Sequence, residues 1–345
     1  MSEVDARAEN EVPRSGGAGA KFDPISVLEK SQEATPGPGE LVGRPGSERV
    51  AVVPGKVLRT GSTTRHRHEF IYFAVRNKKL LVGLSVVGFF ILVAVFGPLL
   101  VNYAPLATSG SGWQAPSVQH WLGTTYFGED VFSQVVYGTR ASFEVGLLGG
   151  CFAVLLGMVI GFTAGYRGGW MDEILNLITN VVIVIPLFAM LLIVGGYLKQ
   201  LTLLEEAGMI GLFAWPWAAR AIRAQTFTLK NREFVGLARL SGEGSVKIIS
   251  REIAPNMSSY LMLTFILLFG GAILTASFID FVGLGPQGAI TLGTMMNNAF
   301  FWDALDLHIW WWFLPPGAVI TCIVGGLYLT NAGLDEVFNP KLRSL

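Results

Sequence analysis

Charge is what this sequence has least of. Only 14% of its 345 residues are Asp, Glu, Lys or Arg, against 51% hydrophobic residues, where a soluble domain carries about 25% charged residues. The shortage is uneven. Residues 1–79 hold 13 Lys/Arg and 10 Asp/Glu, which leaves 27 charges for the 266 positions that follow. So few charges cannot solvate a globular surface of that size, which excludes a wholly soluble protein as the leading reading. Lys+Arg and Asp+Glu are equal at 25 each, so no basic excess points to nucleic acid. Cysteine is nearly absent. Cys151 and Cys322 both lie inside apolar runs, which excludes a disulfide-stapled domain and reads as buried packing thiols. The chain also lacks a Gly-x4-Gly-Lys-Ser/Thr phosphate cradle, a Ser-His or Asp-Asp arrangement and a His-Glu-x-x-His motif. Neither an ATPase nor an intramembrane enzyme is indicated, and no catalytic residue, metal or cofactor is expected.

Residues 1–70 are rich in Gly, Pro, Ser and charge and poor in aromatics. A stretch such as Pro36-Gly37-Pro38-Gly39 supports neither a helix nor a strand interior. Such a segment buries too little apolar surface to offset its ordering entropy, so a disordered tail is expected. No apolar core follows Met1 within the first 30 residues, unlike a signal peptide. His66 and His68 stand as a lone His-x-His, too few ligands for a metal.

What is present is a series of apolar runs, each near the ~20 residues that span hydrocarbon. They are Leu80–Val101, Phe143–Gly165, Ile174–Leu198, Leu203–Ala219, Met257–Ile279 and His308–Leu329. The connecting segments alternate in positive charge. Residues 102–139 and 276–309 hold no Lys or Arg, and Lys199 is the one cation between the third and fourth runs. The other set holds Arg76, Lys78, Lys79 and Arg167, then Arg220 to Arg251, then Lys341 and Arg343. Positive charge concentrates on the cytoplasmic side. Six transmembrane helices with both termini cytoplasmic follow, an all-α polytopic membrane protein.

Within the runs, Gly146, Gly150, Gly157, Gly161 and Gly165 strip the second helix for close contact. Pro186 and Pro216 interrupt the third and fourth, where a kink is tolerated beside protein or a cavity. Glu144 and Asp280 are intramembrane carboxylates, which cost roughly 2.5–3.5 kcal/mol to insert for Asp and are functional by default. Both are candidates for lining a substrate path and meeting an ammonium group. Arg220 and Arg223 read as snorkelling markers of the inner boundary. Trp310, Trp311 and Trp312 read as an aromatic belt.

The segment from Asn231 to Asn256 reads as helix, glycine break, helix. Phe234, Leu237, Ala238 and Leu240 can share one apolar face, and Val246, Ile248, Ile249 and Ile253 supply a second stripe. Gly242 and Gly244 permit a sharp turn. The residues alone leave two readings open, docking to a cytoplasmic partner or resting on lipid headgroups.

This segment resembles the EAA loop of ABC-transporter permeases, in which Glu-Ala-Ala is followed after three residues by Gly and twelve residues later by Pro. Ala238, Gly242 and Pro255 keep that pattern. Gly236, Leu237 and Ala254 depart from it. The chain from about residue 75 onward also resembles the C-type permease of dipeptide/oligopeptide/nickel importers. His120–Gln134 is similar to that family's HPLGTD-x-x-GRDVxSR stretch, and Tyr137–Arg140 continues it. Gly165–Asp172, Trp215-Pro216 with Arg220 and Arg223, Phe281–Gly285, Gly333–Asp335 and Asn339–Arg343 match further family stretches. Thr125, Glu129 and Gln134 replace an Asp and two Arg. The family's acidic residue falls near Ala276, and Asp280 stands where Ser is common.

The resemblance implies a type I ABC importer permease fold over residues 75–345 with the coupling loop at about 231–256. It implies transport of di- or oligopeptides by alternating access, with oligosaccharides or nickel as alternative cargo. Implied partners are a homologous B-type permease subunit, two cytoplasmic ATPase subunits that bind the ATP, and an extracytoplasmic substrate-binding protein. All would meet at the bacterial plasma membrane. Glu233, Gly236, Ala238, Arg239, Gly242, Arg251 and Pro255 are then the coupling-loop candidates, with Glu233, Arg239 and Arg251 making charged contacts. A gated channel is the alternative of another class.

Overall fold

Polar side chains at the edges of the apolar runs start the helices. In the computed structural model, which describes Phe73, residues 75–198 and residues 201–338, Asn77 accepts from Leu80 N and opens α1, Lys78–Leu100. Asp130 accepts from Ser133 N and opens α2, Val131–Arg167. The helix α3, Gly169–Val184, ends at Ile185-Pro186, and α4, Leu187–Tyr197, resumes at an angle of 80°. The Pro186 ring removes a donor and clashes with the preceding turn, so the expected third span is a broken one. Thr202 and Glu205 form a reciprocal cap that opens α5, Leu203–Leu229. Two short helices follow, α6 (Glu233–Leu240) and α7 (Ser245–Ile248), and a wide turn at Ile249–Ile253. Then come α8 (Ser258–Ile279), a second wide turn at Asp280–Leu284, α9 (Leu292–Phe301) and α10 (Trp310–Phe338). The described residues form no strand; Thr108–Glu129 and Thr124–Asp130 are isolated bridges.

Four helices are long and apolar enough to cross a membrane: α1, α2, α8 with its terminal turn, and α10. The bent pair α3–α4 makes a fifth if it is one span. The expected fourth run does form a helix, α5, of 27 residues. It falls short in apolarity because Glu205 and Glu206 sit at one end and Arg220 and Arg223 at the other. The expected tail, His66 and His68, Lys199 and the Asn339–Arg343 stretch lie outside the described residues.

The helix α2 is the hub, because its small residues line two faces. A Cβ on Gly157 would lie 3.0 Å from Ala219 N, and one on Gly161 2.8 Å from Ala219 O, so α5 lies backbone to backbone against this face. Gly150 faces the other way, 3.0 Å from Phe269 Cα of α8 by the same measure. The glycine stripe therefore serves two neighbours. At 37 residues α2 is about 55 Å long, well beyond the ~30 Å of hydrocarbon. Its first three turns, outside the expected second span, bury Ser133, Gln134 and Thr139. The helix α1 pairs with α10, where Asn77 Nδ2 donates to Glu336 Oε2 at 2.7 Å and Lys79 bonds the other oxygen.

Two expectations fail on burial. Trp312 is 1% exposed and belongs to the core with Ile323 and Met295, so it is not part of a belt; Trp310 is half exposed. Cys322 is exposed and Cys151 half-buried, so these thiols are not interior packing residues of the chain itself.

Candidate functional site

The hairpin 231–256 is anchored by its own apolar residues. Val235, Ile248 and Ile253 are essentially fully buried and pack with Phe162 of α2, Ile222 of α5 and Met257. At ~25 cal/mol per Å² such anchors hold the hairpin against the bundle. The face expected from spacing is rotated by one residue. Val235 is buried, whereas Leu237 is 65% and Leu240 87% exposed. Phe234 and Ala238 are half-buried at the edge of the same cluster. From the second expected stripe, Val246 is also exposed.

Backbone hydrogen bonds explain the glycine. Gly242 has φ +75° and its N–H bonds Arg239 O at 3.0 Å, while Glu243 N bonds Ala238 O at 3.2 Å. This pair of bonds is the left-handed helix ending that glycine permits without a Cβ penalty. A Cβ there would meet nothing within 4 Å. Pro255 has an equally local cause. It has no N–H to give to an α-helical ladder, and the chain widens before it so that Ala254 N bonds Ile249 O, five residues back. Asn256 Nδ2 then satisfies Glu252 O at 2.6 Å.

The charged candidates divide. Glu233 and Arg251 are exposed, as are Gly242 and Pro255, with Gly236 half-buried. Arg239 is exposed but turned toward the bundle, its guanidinium 5.1 Å from the Tyr166 ring centroid on α2. A Glu243–Lys247 ion pair of 2.7 Å spans the turn.

Arg223 corrects the snorkelling reading. It makes a bidentate pair with Asp172 of α3, at 2.5 and 2.7 Å, and Arg220 donates to Asn180 Oδ1 at 2.8 Å. Both arginines therefore tie α5 to α3. The three departures in residues 120–134 also meet one another. Gln134 Nε2 donates to Glu129 Oε2 at 2.8 Å and to Pro105 O at 3.0 Å, and Thr125 Oγ1 donates to Glu129 Oε2 at 3.1 Å. Thr125, Glu129 and Gln134 thus form a cluster whose hydrogen bonds close on one another. Beside it, Asp130 accepts from Ser133 N and Oγ and lies 2.9 Å from His120 Nδ1.

The two candidate carboxylates are not brought together. Glu144 is exposed and lines a hollow of about 440 Å³ with Arg140, Ile91 and Phe269. Asp280 is 1% exposed and sits at the end of α8, where Thr291 Oγ1 donates to its Oδ2 at 2.5 Å. The second buried carboxylate is Glu206 of α5, 0% exposed, whose chain neighbour Ala207 packs in one apolar cluster with Ala276 and Ile279 at the end of α8. Sequence reasoning missed Glu206. The available signal was a carboxylate one residue past the Thr202–Glu205 cap, inside an otherwise apolar run.

Comparison with known proteins agrees with this geometry. Residues 157–344 match the family described as binding-protein-dependent transport system inner membrane component. Residues 72–116 match the N-terminal TM domain of oligopeptide transport permease C. A dipeptide transport system permease protein of Alkalihalophilus pseudofirmus is 32% identical over 78% of this chain and 88% of its own length. An oligopeptide transport system permease protein of Bacillus subtilis is 30% identical over 77% and 87%, and one of Mycobacterium tuberculosis is 32% identical over 67% and 79%. With its membrane-length helices and the glycine-turned hairpin between α5 and α8, the chain belongs to the family of binding-protein-dependent transport system inner membrane components.

Proposed function

We propose that this chain is the integral-membrane permease subunit of an ABC importer for di- or oligopeptides in a bacterial plasma membrane. It crosses six times, with α3–α4 as one broken span and α5 as another, and both termini and the hairpin lie in the cytoplasm. The helix α5 needs no fully apolar surface for this, because it packs on α2 and its Arg223 is paired within the protein. A homologous permease subunit completes the pathway and an extracytoplasmic binding protein delivers substrate. Two ATPase subunits supply the energy; this subunit hydrolyses nothing. The names of the relatives support peptide cargo.

The observation that carries the reading is the hairpin's division into an anchored and an open side. Val235, Ile248 and Ile253 fix it to α2 and α5, while Leu237, Leu240 and Val246 are left uncovered around the Gly242 turn. A cytoplasmic ATPase that covers this apolar knob would transmit its closure to both helices at once. The test replaces Leu240 by Asp. The chain should insert and melt as before, within about 0.5 kcal/mol, because the side chain is exposed. Peptide-stimulated ATP hydrolysis by the assembled complex should fall at least tenfold, together with uptake of labelled dipeptide by cells. Unchanged hydrolysis and uptake would remove the hairpin from the coupling path.

A further inference from the structure

Among the described residues five buried side-chain polar atoms have no hydrogen-bond partner, and four of them are Glu206 Oε1 and Oε2, Ser277 Oγ and Asp280 Oδ1. Buried polar atoms are almost always paired, so a group of orphans needs a cause. Both side chains are closed off from solvent, Glu206 at 0% and Asp280 at 1% exposed, and their chain neighbours Ala207 and Ile279 belong to one apolar cluster with Leu191, Leu201 and Ala276. Glycine backbone wraps Asp280 on two sides, since a Cβ on Gly293 would come within 2.5 Å of Asp280 Cβ and one on Gly285 within 2.8 Å of its Oδ1. Two ionised carboxylates cannot stay in contact in so dry a place without a compensating positive charge.

Among the described residues the surrounding elements do not supply one. The segments Leu187–Tyr197, 285–291 and Leu292–Phe301 contain no charged residue. On α5, Glu205 turns back to Thr202, with Oε2 2.8 Å from Thr202 N. The helix α2 contributes Val145 to this cluster, while its Arg140 and Glu144 line a separate hollow. No three His, Cys, Asp or Glu side chains gather among the described residues, so a divalent or transition ion lacks a ligand set.

We propose that Glu206 and Asp280 together bind one proton, which latches the start of α5 to the end of α8. The proton cancels the repulsion and makes one Glu206 oxygen a donor toward Asp280 Oδ1, so two orphan acceptors become one hydrogen bond. Thr291 holds the other Asp280 oxygen. Loss of the proton leaves like charges facing each other and drives the two helix ends apart. The site goes beyond the importer reading and does not depend on it.

The experiment follows the melting of the full-length chain in lipid nanodiscs from about pH 5 to about pH 9. A carboxyl held neutral in the folded chain stabilises it at low pH, and this stability is lost as pH rises. The wild-type melting temperature should therefore fall by roughly 3 °C for each pH unit over the range in which the folded chain keeps a proton that the unfolded chain has lost, and level off above it. Glu206→Gln, which has the shape of the neutral acid, should show no such fall. Parallel pH slopes in both proteins would overturn the proposal. Infrared spectra of the wild-type chain near pH 7 supply a second reading that needs no variant. A protonated carboxylic acid band that resists exchange into heavy water is expected, and its absence would also overturn the latch. Both readings are taken on this chain alone, so failure of peptide import leaves them unaffected.

Discussion

At Gly242 the backbone turns left-handed with open space where a side chain would be. Gly242→Ala should therefore cost only about 1 kcal/mol of hairpin stability, from backbone conformation alone. Gly242→Trp should cost little more in the isolated subunit, since nothing in this chain obstructs it. A large difference between the two variants in substrate-stimulated ATP hydrolysis by the assembled complex would then have to come from a partner at the turn. We expect Trp to abolish stimulation and Ala to keep most of it. Arg223 works differently, because its partner is internal. Arg223→Ala leaves Asp172 with a lost bidentate pair, at a cost of roughly 2 kcal/mol. A drop in melting temperature that Arg223→Lys only partly restores would match the loss of a forked donor. Both residues stood out in the sequence, Gly242 through its distance to Pro255 and Arg223 through its place after Trp215-Pro216. What the sequence did not reveal was the partner, since Asp172 is 51 positions away and only the packing of α3 on α5 joins them.

The helices were legible where one face repeats and obscure where neighbours decide. The apolar runs and the glycine stripe of α2 needed only period and composition. The hairpin face did not follow, because Val235 rather than Leu237 finds Phe162 and Ile222, and an eight-residue helix has too few turns for spacing to fix its rotation. Glu206 was obscure for the same reason: its environment is made by α8 and the 285–291 segment, none of it local. The close packing of α2 on α5 can be tested, with a glycine of α4 as the control. Gly161→Leu forces atoms into Ala219 and Ile222 and should destabilise the chain by roughly 1–3 kcal/mol. Gly196→Ala, on α4 with nothing within 4 Å, should be neutral or slightly stabilising. Thermal melting in detergent separates the two, and equal melting temperatures would mean that α2 and α5 do not pack this closely.

For the whole molecule, orientation is the property most open to a direct check. Single cysteines placed at Ser117 and Ser241, in a chain with Cys151 and Cys322 replaced by Ala, should react with an impermeant maleimide from opposite sides of sealed vesicles. Labelling of both from one side would contradict the proposed topology. The charge alternation that suggests this topology needs no contact information, which is why it was readable early. The mutual bonding of Thr125, Glu129 and Gln134 was not, since three separated polar residues show no link until their hydrogen bonds are seen to close on one another.

The uninterrupted length of α2 has a mechanical meaning. One end abuts the hairpin through Phe162 and Tyr166, and the other carries the Asp130 cap, with Gln134 bonded to Pro105 O. No proline breaks it, so it tilts as a stiff rod. Over about 55 Å, a tilt of about 5° carries the far tip by about 5 Å. Pivoted at its hairpin end, such a rod carries the opposite rim sideways by nearly the pitch of one helical turn.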